Sequence, residues 1–120
     1  MSLYVKKVEG KGRGVFSDSP IKKGEMIENS PVIKIPENQI ELVEKTDISQ
    51  YWINWSGKSG VIGLGLVSMY NHSSTPNAEY LLFVPEDSII MNAIKDISPH
   101  EEICTNYKNK EKFDFSNFIL

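Results

Sequence analysis

Three short stretches hold the residue types from which a binding or reacting site could be built. In GKGRGVF, residues 10–16, glycines alternate with other residues just before an apolar strand, and backbone without Cβ atoms lets a ligand come close. No helix follows, so the stretch is not a dinucleotide-binding fingerprint, and the spacing and Lys-Ser/Thr of a P-loop are missing. Taken alone it reads equally well as a hairpin turn. YNHSSTPN, residues 70–77, sets the Asn71 amide beside the His72 imidazole in a segment of turn formers, which by itself reads as a surface loop. HEEICTNY, residues 100–107, is an acidic turn feeding a short strand that ends in Tyr107, a position where a ring is usually buried and its hydroxyl wet. His72 and His100 lie far apart with no carboxylates at ligand spacing, and Cys104 is the only cysteine, so neither a metal cage nor an internal disulfide is expected. Ser73 and Ser74 stand next to His72 without a Gly-x-Ser-x-Gly elbow, which gives no support to a hydrolase triad.

The elements that must position these residues are mostly short strands. Apolar alternation bounded by Gly, Pro or Asp/Ser clusters predicts strands over 3–8, 14–17, 25–35, 51–55, 78–84 and 88–94. Only ENQIELVEK, residues 37–45 after Pro36, reads as helix, for a couple of turns. The expectation is one mainly β domain over residues 1–120, closed into a sandwich or barrel-like body with function on its loops. SPIKKGEMI (19–27) and ISPHEEI (97–103) share turn chemistry, too short to be a repeat array.

Composition narrows the function classes. The net charge is −3, with Lys and Arg neither in excess nor clustered, which speaks against direct nucleic-acid binding and is compatible with a cationic peptide as partner. MSLYVKKVEG lacks the apolar core of a signal peptide and VIGLGLV is too short to span a bilayer, so no membrane role is expected and the protein is placed in the cytoplasm where it is made. A host nucleus is compatible with the same reading for a viral chain or an exported effector.

Taken in order, Gly-x-Gly, Asn-His-Ser-x-x-Pro-Asn and Glu-Glu-Ile-x-x-x-Tyr resemble the motif set of SET-domain protein lysine methyltransferases, over most of the chain from about Lys6 to Tyr107. The resemblance implies a β-clip-like SET fold of several short curved sheets, few short helices and a knot-like C-terminal crossing, with a core over about residues 3–107. It implies S-adenosylmethionine as cofactor and no metal. Lys11, Gly12 and Arg13 would line the cofactor through backbone groups, Asn71 and His72 would hold its amino-acid and adenine portions, and Tyr107 would be the active-site tyrosine, also against the cofactor. The reaction implied is methyl transfer to the ε-amine of a lysine in a protein or peptide, with a histone-like protein as one candidate. A SET-like module that binds cofactor or peptide with little turnover, and an unrelated sugar- or ice-binding β body, are the competing readings.

Departures from the family pattern carry their own expectations. ENSPVI (28–33) stands where a Tyr-x-Gly element is common, so a second active-site tyrosine would come from Tyr51 or Tyr70 or be missing. His100 replaces the usual glycine before the paired acids, at a cost of about 1 kcal/mol if that turn needs positive φ. Thr105 occupies a substrate-channel position, often aromatic, that bears on the number of methyls added. The zinc-binding cysteines found behind this tyrosine in many relatives are absent, and the tail from 108 to 120 instead brings Phe113, Phe115 and Phe118, either packed on the core or forming an aromatic flap over the site. The substrate groove is expected around SQYWINWSGKSG (49–60), and a homodimer would supplement so small a core.

Overall fold

The structure is a computed structural model and is described for residues 1–107. Its strands are β1 (Leu3–Val8), β2 (Gly12–Ser17), β3 (Met26–Ile35), β4 (Trp52–Asn54), β5 (Gly60–Gly63), β6 (Asn71–His72), β7 (Ala78–Phe83), β8 (Ser88–Ala93) and β9 (Glu102–Thr105), with one helix, α1 (Glu37–Glu44), after Pro36. Single 3-10 turns cover Asp47–Gln50 and Val84–Glu86. They form two sheets, ordered β1-β2-β9-β6 and β4-β5-β3-β8-β7.

In the larger sheet β8 lies between β3 and β7, and its Ser88, Ile89, Ile90 and Met91 are all buried, the run expected of a strand covered on both faces. The ten residues of β3 serve two partners in succession, Met26 to Pro31 against β8 and Val32 to Ile35 against β5. Pro31, which has no N–H to give a ladder, sits where one pairing hands over to the other. A bulge between Met26 and Glu28 re-aims the strand near the site described below. Ile27, Ile53, Val61, Tyr80, Leu82 and Ile89 meet Val15, Ile21, Ile97 and Ile103 in one core between the sheets.

All six expected strands and the helix form, with ends shifted by at most two residues. Three elements differ from the reading of the sequence. β5 arises inside the apolar run around residue 61; Asn71 and His72 form a strand and not a loop; and β9 ends at Thr105, short of Tyr107. Two- to four-residue strands leave almost no periodicity, because a neighbour supplied by tertiary pairing decides them. The two turns with shared chemistry pair with each other, through Ile21 N–H to Ile97 O at 2.9 Å and Ile97 N–H to Ile21 O at 2.8 Å. His100 takes the left-handed φ of 63° that a glycine would adopt freely, a strain of about 1 kcal/mol. It is held there by its N–H on Ser17 O at 2.8 Å and by Nδ1 at 2.7 Å from the Tyr4 hydroxyl.

Candidate active site

The site is built where β9 enters between β2 and β6. β9 runs antiparallel to β2 and parallel to β6, which puts Asn71 beside Cys104 and His72 beside Thr105. Asn77 fixes this insertion: its Oδ1 accepts from Cys104 N–H at 2.8 Å, its Nδ2 donates to Glu102 O at 2.9 Å, and its own N–H donates to Cys104 O at 3.2 Å. The Pro-Asn end of the Asn-His motif therefore holds β9 in place, while Asn71 at its other end lines the cleft described below.

Asn71 ties three segments together. Its Nδ2 donates to Arg13 O at 3.1 Å and to Glu102 Oε2 at 2.6 Å, and Glu102 Oε1 lies 3.7 Å from Lys11 Nζ. Gly14 allows this approach, since a Cβ there would fall 2.5 Å from Glu102 Oε2 and 3.1 Å from Asn71 Nδ2. Gly10 and Gly12 carry φ of 77° and 81° in the turn that brings Lys11 back over β2. The alternate glycines thus do two jobs: two make the turn, and the third clears room for an amide-carboxylate pair. Gly14→Ala is expected to push Glu102 off Asn71, lower stability by about 1 to 2 kcal/mol in chemical denaturation and leave the fold intact by circular dichroism.

Tyr107 is fixed at both ends. Its N–H donates to His72 Nδ1 at 3.1 Å, its hydroxyl donates to Tyr70 O at 2.6 Å, and its ring packs on the imidazole at 5.2 Å between centroids. Burial, followed by the neighbouring Cys104 thiol and Glu102 carboxylate, raises its pKa, so the phenol stays protonated and donates. Tyr70 and Tyr80 are raised as well, chiefly by burial, with Glu28 adding to the effect on Tyr70 and Tyr107 to that on Tyr80. Burial, reinforced by Glu102, pushes the Cys104 thiol up to about 11, which leaves it neutral and unsuited to be a nucleophile.

Two hollows meet at Tyr70 and Tyr107. A cleft of about 440 Å³ is lined by Lys11, Gly12 and Arg13, by Ser68, Met69, Tyr70 and Asn71, and by Gln50, Tyr51 and Tyr107. A narrower cavity of about 90 Å³ is lined by Trp52, Ile53, Val67 and Tyr80. Gln50, Tyr51, Ser68, Tyr70 and Tyr107 line both and form the partition. The structure therefore gathers Lys11, Gly12, Arg13, Asn71, Tyr51, Tyr70 and Tyr107 around one cleft. His72 adjoins it through Tyr107, while Thr105 is buried in β9, its carbonyl accepting from Ser73 N–H at 2.9 Å, and lines neither hollow. Phe113, Phe115 and Phe118 fall outside the described residues. Gln50 and Tyr51 fall within the groove expected over 49–60, whereas sequence reasoning missed Glu28, Ser68 and Tyr80; nothing in their local spacing marks them, because they arrive from two separate strands and a loop. Glu102 lay inside a quoted motif, and its role emerged only once Asn71 was found beside it.

The SET domain family model matches residues 12–108. The chain belongs to the SET domain family. A curated relative, the H3 lysine-37-specific histone-lysine N-methyltransferase of Schizosaccharomyces pombe, is 36% identical over 107 residues, covering 88% of this chain and 72% of the relative. Among solved structures, a Plasmodium falciparum protein described as a histone methyltransferase superposes with a TM-score of 0.68 at 29% identity, over 88% of this chain and 91% of the other. Apo ctPRC2 carrying two substitutions in Ezh2 shares the fold at a TM-score of 0.75 and 23% identity, this chain spanning 91% of its own length and 15% of the other. As a SET domain with a lysine-methylating relative over most of its length, the chain is a protein-lysine methyltransferase. The expected mainly β SET fold is the one observed.

Proposed function

We propose that the larger cleft takes S-adenosylmethionine, that the narrow cavity takes a lysine side chain of a histone-like protein, and that methyl transfer occurs across the tyrosine partition. The observation that carries this reading is the shared wall: Tyr51, Tyr70 and Tyr107 face both hollows. The cleft fits such a group in size, in the backbone exposed at Gly12, and in the half-exposed Lys11 ammonium at its wall, which stands 3.7 Å from Glu102 and could share itself with a ligand carboxylate. When bound, the cofactor supplies a sulfonium methyl as electrophile.

The protein's part is alignment, since in-line displacement needs a neutral amine held at attack distance with water excluded. Tyr51, Trp52, Ile53 and Tyr80 put aromatic and apolar side chains beside Gln50 and Ser68 in the narrow cavity, so a lysine inside is partly desolvated and loses its proton more easily, the more so near a positive sulfonium. The Tyr107 hydroxyl, donating to Tyr70 O, fixes the ring whose electron-rich face borders both hollows. The chain's net charge of −3 suits a basic tail, and the Schizosaccharomyces pombe relative acts on a histone. Incubation with methyl-labelled S-adenosylmethionine and core histones, read by mass spectrometry, is expected to show methyl groups on lysine of a histone tail. Label on no histone and on no other lysine-rich protein overturns the substrate assignment.

A further inference from the structure

The wall segment between β5 and β6, residues 64–70, is irregular chain that carries Ser68, Met69 and Tyr70 into the site. One side chain on β3 grips both ends of its second half. Glu28 Oε2 accepts from Leu66 N–H at 2.6 Å, and Glu28 Oε1 accepts from the Tyr70 hydroxyl at 2.8 Å. Tyr70 is 1% exposed, so its hydroxyl needs a partner inside the protein, and a carboxylate supplies two acceptors at a fixed separation for two donors. Gly65 makes room for it, because a Cβ there would collide with Glu28 Oε2. The same Tyr70 presents the carbonyl that receives the Tyr107 hydroxyl at 2.6 Å.

We infer that Glu28 is a positioning residue for methyl transfer: by clamping residues 66 and 70 it sets the Tyr70 carbonyl, and through it the orientation of the Tyr107 phenol. The inference rests on the methyl-transfer reading above. Glu28 lines neither hollow, so it acts only through what it holds: Tyr70, and the Tyr107 hydroxyl bound to the Tyr70 carbonyl. It also gives the stretch ENSPVI a use, since its first residue holds a tyrosine of another segment.

The test combines a double-mutant cycle with a direct view of the Tyr107 ring. Glu28→Ala is expected to lower kcat roughly tenfold to thirtyfold, measured well below its melting temperature, while the S-adenosylmethionine Kd changes less than about threefold. In a Tyr107→Phe background the same change is expected to cost less than about threefold, since the hydroxyl it positions is gone. Glu28→Gln keeps the length, and its amide oxygen can accept from Leu66 N–H while its NH2 donates to the Tyr70 hydroxyl, which reverses to accept, so this variant is expected to recover most of the loss. Losses that multiply in the double variant, or an unaltered kcat in Glu28→Ala, overturn the inference; if Glu28→Ala does not fold, Tyr70→Phe takes its place in the cycle. In protein carrying fluorotyrosine, the fluorine resonance of Tyr107, identified by its disappearance in Tyr107→Phe, is expected to shift or broaden in the Glu28 variant. An unchanged resonance overturns the link between the two residues whether or not the wild type turns over, whereas absent wild-type turnover beside a responsive resonance strikes only the methyl-transfer reading.

Discussion

Tyr107→Phe is expected to lower kcat on a histone-tail peptide by about a hundredfold to a thousandfold, the scale of losing one preorganised donor at a reacting centre. Cofactor affinity is expected to stay within about threefold, because the ring and the Tyr107 N–H bond to His72 Nδ1 survive the change. The hydroxyl bond to Tyr70 O is the one contact removed, and the carbonyl left behind is then free to turn. Steady-state kinetics beside isothermal titration separates the two quantities; equal losses in both would mean that Tyr107 serves binding alone. The pH profile of the unaltered enzyme carries a matching sign. Turnover is expected to rise with pH as the acceptor lysine loses its proton, and any falling limb from Tyr107 lies above the ordinary phenol pKa of about 10, since burial raises it.

The second large effect concerns the amide that joins three segments. Asn71→Asp keeps the shape of the side chain and replaces its donor by a carboxylate facing Glu102, where the amide now stands 2.6 Å from Oε2. Two carboxylates so close ionise together only against strong repulsion, and the donor to Arg13 O is lost as well. At about pH 8 the S-adenosylmethionine Kd is expected to rise at least a hundredfold, from repulsion and lost hydrogen bonds together amounting to roughly 3 kcal/mol. The pair's folded-state pKa is raised, so the folded form binds its proton more tightly than the unfolded one. The penalty is therefore small below the unfolded carboxyl pKa of about 4 and grows as pH rises toward the raised value. Titration at about pH 5.5 is expected to recover part of the affinity. Asn71→Ala, which removes the donors without adding charge, is expected to weaken binding equally at both pH values; the same pH response in both variants would refute the charge argument.

Much of this molecule was readable in the chain. The strands with clear alternation, such as Ala78–Phe83, formed where the pattern put them, because their faces see core and solvent in turn. The three motifs carried the family because each places a chemically unusual residue at a turn or strand end. What escaped notice has a common cause. Asn71–His72 is a strand only because β9 lies beside it, and Glu28 belongs to the site only because Leu66 and Tyr70 come to it from 38 and 42 residues away. Such roles are written in pair distances, to which a one-dimensional pattern is blind. Tyr51 and Tyr70 illustrate the boundary, since the sequence offered either as a second tyrosine and the fold brings both to the partition.

β9, closed in between β2 and β6, has a further implication for when the enzyme comes into being. Because the residues that would hold the donor come from both extremes of the described chain, no fragment emerging during synthesis owns a finished pocket until residue 107 has been made. Ligand occupancy would then act as a late proofreading signal, lending its binding energy only to molecules that have completed their longest-range pairing, and slow acquisition of affinity after refolding would be its kinetic imprint.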